Sequence, residues 1–152
     1  MKVYKFGGAS VRNADGIRNL AHIVSLAEGD LMVVVSAMGK TTNALERVLN
    51  ALMANDTTTA QQEWKVLIDY HTAIIQELGL SVDILPIHNL PALQDTATYD
   101  LSYDQLVSWG ELISTTIVNA YLRTQGIDSE WIDMTRLLRT DNTFRDANVD
   151  MS

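Results

Sequence analysis

Cysteine is missing from this 152-residue chain, which excludes disulfides and thiolate metal sites. Histidine is sparse: His22, His71 and His88 are scattered and share no ligand spacing, so no metal site is expected. Proline occurs twice, at Pro86 and Pro91, and marks residues 80–100 as irregular connection. No apolar stretch approaches the length of a membrane span, and the first ten residues hold no signal-peptide core, so the expected location is the cytoplasm, with no membrane partner. Positive charge is also scarce. Eleven Lys and Arg against nineteen Asp and Glu give a net charge of −8 and argue against nucleic acid as a partner.

Two nucleotide-binding glycine patterns are absent as well. Gly39-Lys40-Thr41 has the end of a P-loop, but Val34 stands where its first glycine belongs. No G-x-G-x-x-G precedes a helix, which disfavours a dinucleotide-binding dehydrogenase.

What remains is organised by periodicity. Residues 3–6 form a short β run, and 31–36, Leu-Met-Val-Val-Val-Ser, form an apolar run that fits a strand buried on both faces of a parallel sheet. Ile17, Leu20, Ala21 and Val24 repeat at helical spacing between them, giving a βαβ unit. Asn43 with Glu46 reads as a capping box ahead of the stripe Leu45, Val48, Leu49 and Leu52. Thr58 with Gln61, or Thr59 with Gln62, caps a longer helix that buries Trp64, Leu67 and Ile75 and stops at Gly79. Ser102 with Gln105 caps another, carrying Leu106, Trp109, Ile113 and Ile117 and ending near Gly126; residues 127–132 then read as a third strand. The class is α/β with a parallel sheet, and ligand sites belong beyond the carboxyl ends of the strands.

Three segments carry polar chemistry. Lys5-Phe6-Gly7-Gly8 closes the first strand, where the backbone can approach a ligand and leave amides facing anionic oxygens. Ser36 to Asn43 closes the second and opens a helix, whose N-terminus favours a phosphate or carboxylate. Ser108 to Ser114 lies within a helix, where Gly110 costs about 1 kcal/mol relative to alanine and so marks close packing or ligand approach. Each segment alone reads as a turn, a cap or a packing glycine. Charge favours the first: residues 1–50 hold six Lys and Arg against four acids, the remainder five against fifteen.

Together these segments resemble the aspartokinase family of the amino acid kinase superfamily. Lys5-Phe6-Gly7-Gly8-Ala9-Ser10-Val11 is similar to its opening signature, Val33 to Asn43 to its second-strand motif, and Ser108-Trp109-Gly110-Glu111-Leu112-Ile113-Ser114 to its helical substrate motif. Arg139-Thr140-Asp141 through Phe144 and Ala147 resembles a later loop, and all four occur in family order. Ala9 departs from the usual threonine.

The resemblance implies a three-layer αβα parallel sheet, truncated here. Residues 1–152 would be the N-terminal portion of the catalytic domain, with the rest of the kinase domain and the ACT regulatory domains absent. It implies transfer of the γ-phosphoryl group of ATP to the β-carboxylate of L-aspartate, the first step toward lysine, threonine and methionine. Lys5 would be catalytic; Lys5, Phe6, Gly7, Gly8, Ser10 and Ser36 would bind ATP phosphates; Thr42, Glu111 and Phe144 would bind aspartate. Mg²⁺ would ride mainly on the nucleotide phosphates, and a homo-oligomer is expected. Two alternatives stand beside this reading: a related amino acid kinase acting on another carboxylate or carbamate, and a noncatalytic fragment that folds or self-associates.

Overall fold

A computed structural model describes residues 1–93 and 98–150. Strand β1 (Lys2–Phe6) pairs in parallel with β2 (Leu31–Val35), in a register running from Lys2 opposite Leu31 to Phe6 opposite Val35. Helix α1 (Ala14–Ser25) makes the crossover, and the Asn13 side chain caps it by accepting from the Gly16 amide at 3.0 Å. Helices α2 (Thr41–Met53), α3 (Thr57–Glu77) and α4 (Tyr99–Thr124) follow. α2 packs most extensively, against α3 and then α4. Among the described residues no helix is long and apolar enough to cross a membrane.

The apolar stripes expected for all four helices face the core, with Leu52 and Trp109 half-buried at its margin. Ile17 and Leu20 of α1, Leu45 and Leu49 of α2, Ile75 of α3 and Ile113 of α4 are fully enclosed in one core. α3 and α4 stop where expected, at Gly79 and Gly126, each with paired backbone bonds closing the last turn.

The sheet differs from expectation in two ways. Residues 31–35 are covered on one face only: Val33 and Val35 turn toward the core, while Met32 (42% exposed), Val34 (44%) and, on β1, Val3 (58%) face outward. A continuous β-branched run cannot tell one covered face from two. The expected strand at 127–132 forms no ladder. Its polar groups are used by α4 instead: Arg123 donates to Ser129 O at 3.2 Å, Ser129 Oγ to Asn119 Oδ1 at 2.9 Å, and Trp131 Nε1 to Thr115 Oγ1 at 2.9 Å. The fold is nonetheless α/β, with a parallel sheet and helices packed on it.

The helix caps also moved. α2 begins two residues before Asn43, at Thr41, because a turn through Thr41 N to Met38 O already closes its start. α3 is capped by Asp56, not Thr58 or Thr59; its carboxylate accepts from Thr59 N at 3.0 Å and Thr59 Oγ1 at 2.7 Å, which holds its carboxyl below the usual range. α4 starts at Tyr99 with Thr98 as cap, and this leaves Ser102 buried inside the helix.

Candidate active site

The register that ends at Phe6 opposite Val35 brings the loops after β1 and β2 out side by side. Ser36 N donates to Phe6 O at 3.0 Å, and beyond it Gly39 N donates to Gly8 O at 2.9 Å, so the loops are joined backbone to backbone. A side chain at Gly8 would collide with Ala37 O, so glycine is what permits this contact. Lys5 folds over the turn: its Nζ lies 3.4 Å from where a Cβ on Gly7 would stand. Lys5 forms no ion pair among the described residues, and the Gly7 and Gly8 amides donate to no protein acceptor there.

α4 meets the second of these loops at Gly110. A Cβ there would come within 2.8 Å of Ala37 Cβ and 3.3 Å of Thr41 Cγ2, so the glycine costs helix stability in exchange for close packing, as its position in the sequence suggested. The next residue profits. Glu111 Oε1 accepts from Ala37 N at 3.2 Å, which sets a carboxylate at the approach to the α2 N-terminus.

The expected residues therefore divide. Lys5, Gly7, Gly8, Ser36 and Glu111 gather around the two loops at one end of the sheet, and Thr42 sits half-buried in the first turn of α2. Phe6 packs its side chain on the core and offers the loops only its carbonyl. Ser10 is exposed, with its amide tied to Gly7 O at 2.9 Å.

Phe144 lies on a separate segment, the loop of residues 139–150. It is 37% exposed on a loop folded by its own bonds, in which Asp141 accepts from Thr143 N at 3.0 Å and Asn148 Nδ2 at 2.8 Å. Those bonds, Asn148 first, hold the Asp141 carboxyl below its usual range. Arg145 docks the loop on α4 through Asp104 (2.9 Å), the Tyr103 ring (4.4 Å) and Asp100 (3.5 Å). Asp104 precedes Glu111 by seven residues, about 10 Å along a helix. No hydrogen bond or ring contact joins Phe144 to Lys5, Thr42 or Glu111 among the described residues.

Sequence reading missed Tyr70 and His71 on α3. Tyr70 Oη donates to Arg12 O at 2.5 Å, and His71 reaches Thr41 Oγ1 at 3.2 Å, so α3 touches both loops. The available signal was a histidine at helical spacing from Leu67, Ile74 and Ile75, inside an apolar stripe. Burial raises the Tyr70 pKa and lowers that of His71.

An ammonium and free amides on one loop, and a carboxylate beside the other, can hold an anionic group next to a cationic one. Known proteins carry this arrangement further. Residues 1–150 match the amino acid kinase family. The chain is 31% identical over 149 residues to the bifunctional aspartokinase/homoserine dehydrogenase 2 of Escherichia coli, covering 92% of this chain and 18% of that protein. It is 32% identical over 143 residues to the chloroplastic aspartokinase 1 of Arabidopsis thaliana, covering 86% of this chain and 25% of that one. Aspartokinase III of E. coli, solved with lysine and aspartate, superposes with a TM-score of 0.78 at 26% identity, over 99% of this chain and 35% of that one. The chain thus spans from under a fifth to about a third of these three relatives, each of which is named for aspartokinase. By its loops, its fold and the match over residues 1–150, this chain belongs to the amino acid kinase family.

Proposed function

We propose that residues 1–152 are the N-terminal portion of an aspartokinase catalytic domain, carrying the phosphate-facing loops and part of the aspartate site. The observation that carries this reading is the meeting of Lys5, Gly7 and Gly8 with the Glu111 carboxylate around two bonded loops. The aspartokinase relatives, one of them solved with aspartate, support the choice of substrate.

The reaction is transfer of the γ-phosphoryl group of ATP to the β-carboxylate of L-aspartate. That carboxylate, with an ordinary pKa of about 3.9, is ionised at neutral pH, so no general base is required. The obstacle is repulsion between two anions. Lys5 and the Gly7 and Gly8 amides offset charge on the transferring group, and Ser36 borders them. Glu111 pairs with the aspartate ammonium while Ala37 N fixes one of its oxygens, and Thr42 contacts the same substrate. Mg²⁺ is assigned to the nucleotide phosphates, which supply most of its oxygen ligands in sites of this kind. Phosphate and Phe144 contacts beyond these, a cytoplasmic location and a homo-oligomer belong to the same proposal.

Calorimetric titration tests the assignment of roles. Lys5→Ala weakens Mg-ATP by about tenfold or more, the worth of one charge-assisted hydrogen bond, and leaves aspartate unaffected. Glu111→Gln weakens aspartate and leaves Mg-ATP unaffected. Equal losses of both ligands in both variants would contradict the division.

The outward apolar face of Val3, Met32 and Val34 favours a second reading, a noncatalytic unit that self-associates through its sheet. Mg-ATP titration alongside sedimentation separates the two: binding of Mg-ATP in any oligomeric state supports the first, and an oligomer that does not bind it supports the second.

A further inference from the structure

Beyond the strand ends, the two site loops are joined by the backbone bond from Gly39 N to Gly8 O, between segments rich in small residues. Two neighbouring side chains of α3 reach that junction. Consecutive helical residues project about 100° apart, so one helix can address two loops at once.

We propose that Tyr70 and His71 are positioning residues that brace the phosphate and aspartate loops against each other. The proposal rests on the aspartokinase-type reading of those loops for its functional meaning.

Tyr70 ties down the first loop by donating from Oη to Arg12 O at 2.5 Å. The same hydroxyl lies against the second loop, 2.8 Å from where a Cβ on Gly39 would stand, and Gly39 has a φ of +55°. Any side chain there would displace the tyrosine. Tyr70 thus touches the segment following Gly8 and the residue whose amide bonds Gly8.

His71 works on the second loop from inside. It is fully buried, and burying an imidazole is costly unless its nitrogens are bonded. Both are. Nδ1 lies 2.8 Å from Leu67 O, which can only accept, so Nδ1 carries the proton. Nε2 lies 3.2 Å from Thr41 Oγ1, and that hydroxyl also bonds Met38 O at 2.6 Å. Thr41 has one proton and directs it at Met38 O, so in the neutral ring the longer Nε2 contact is the weaker branch of a three-centre bond, and His71 backs the turn from Met38 to Thr41 that ends the loop and begins α2. A leucine would fill a buried position on α3 without this contact. Among the described residues no carboxylate is hydrogen-bonded to the ring and His71 is in no ion pair.

Amide hydrogen exchange at Gly39 tests the brace directly, and Mg-ATP titration of the same samples tests its consequence. Tyr70→Phe keeps the ring and removes only the hydroxyl. It is expected to lower Gly39 protection by about fivefold to tenfold, the scale of one hydrogen bond, with Ile113 and Ile117 in α4 unchanged. His71→Leu is expected to do the same, and His71→Gln, which retains an amide able to bond, to restore protection. A general loss of stability would instead lower protection at Ile113 and Ile117 too, and would contradict a local brace. Unchanged Gly39 protection in Tyr70→Phe and His71→Leu overturns the proposal. If the unsubstituted chain shows no Mg-ATP response, the functional reading of the loops fails, while exchange at Gly39 still decides the brace.

Discussion

The paired loops after β1 and β2 and the loop of residues 139–150 are both polar and both reach α4, the pair through Ala37, yet they are held by different physics. The first two are backed by fully buried residues: Val11 and Met38 lie within them, and Thr41 is buried beside them. The last contains no buried residue. Its shape comes from Asp141, Asn148 and Arg145, through bonds exposed to water. Such bonds compete with solvent and fix less than packing does. The comparison separates a preorganised half of the site from a segment whose geometry is local.

The largest expected effect comes from breaking the packed half. Gly110→Val would drive a branched side chain into Ala37, Thr41 and Leu45, an overpacking that costs about 1–3 kcal/mol beyond any helix-propensity change. Urea denaturation measures it, and the Glu111 to Ala37 bond should be lost with it.

A smaller effect follows from His71. Burial lowers its folded-state pKa below the ordinary 6.5, so the unfolded chain binds the proton more readily. The stability contributed is present above about pH 6.5 and is lost as pH falls toward the folded-state value. Urea midpoints in the unsubstituted chain should therefore decline on acidification through that window, with a flatter profile in His71→Gln.

The smallest effect on global stability is expected from Arg145→Ala. Removing its contacts with Tyr103 and Asp100 should speed proteolysis within residues 139–150 and leave the urea midpoint nearly unchanged. A large midpoint shift would show that this loop is part of the cooperative core after all.

Legibility in the sequence follows the same division. Stripes such as Ile17, Leu20 and Val24 announced their helices, because burial alone dictates that spacing. The convergence of Lys5–Gly8 with Ser36–Thr42 followed from parallel strands ending together. Caps were less legible: Asp56 displaced Thr58 and Thr59, and Thr98 displaced Ser102, since a cap depends on where the preceding turn leaves the chain. The run Leu31–Val35 did not reveal that one face lies open, and residues 127–132 have strand composition but bond to α4. Tyr70 and His71 escaped notice because a helix read as core hides the polar atoms it sends to its neighbours.

The central claim is that the two bonded loops and Glu111 form one ligand-binding half-site. An amide chemical-shift map of the chain, titrated first with Mg-ATP and then with L-aspartate, tests it most directly. The account predicts that Mg-ATP moves Gly7, Gly8 and Ser36, that aspartate moves Ala37 and Thr42, and that residues 139–150 respond less than either group. Shifts confined to residues 139–150, or spread evenly over the helices, would contradict it.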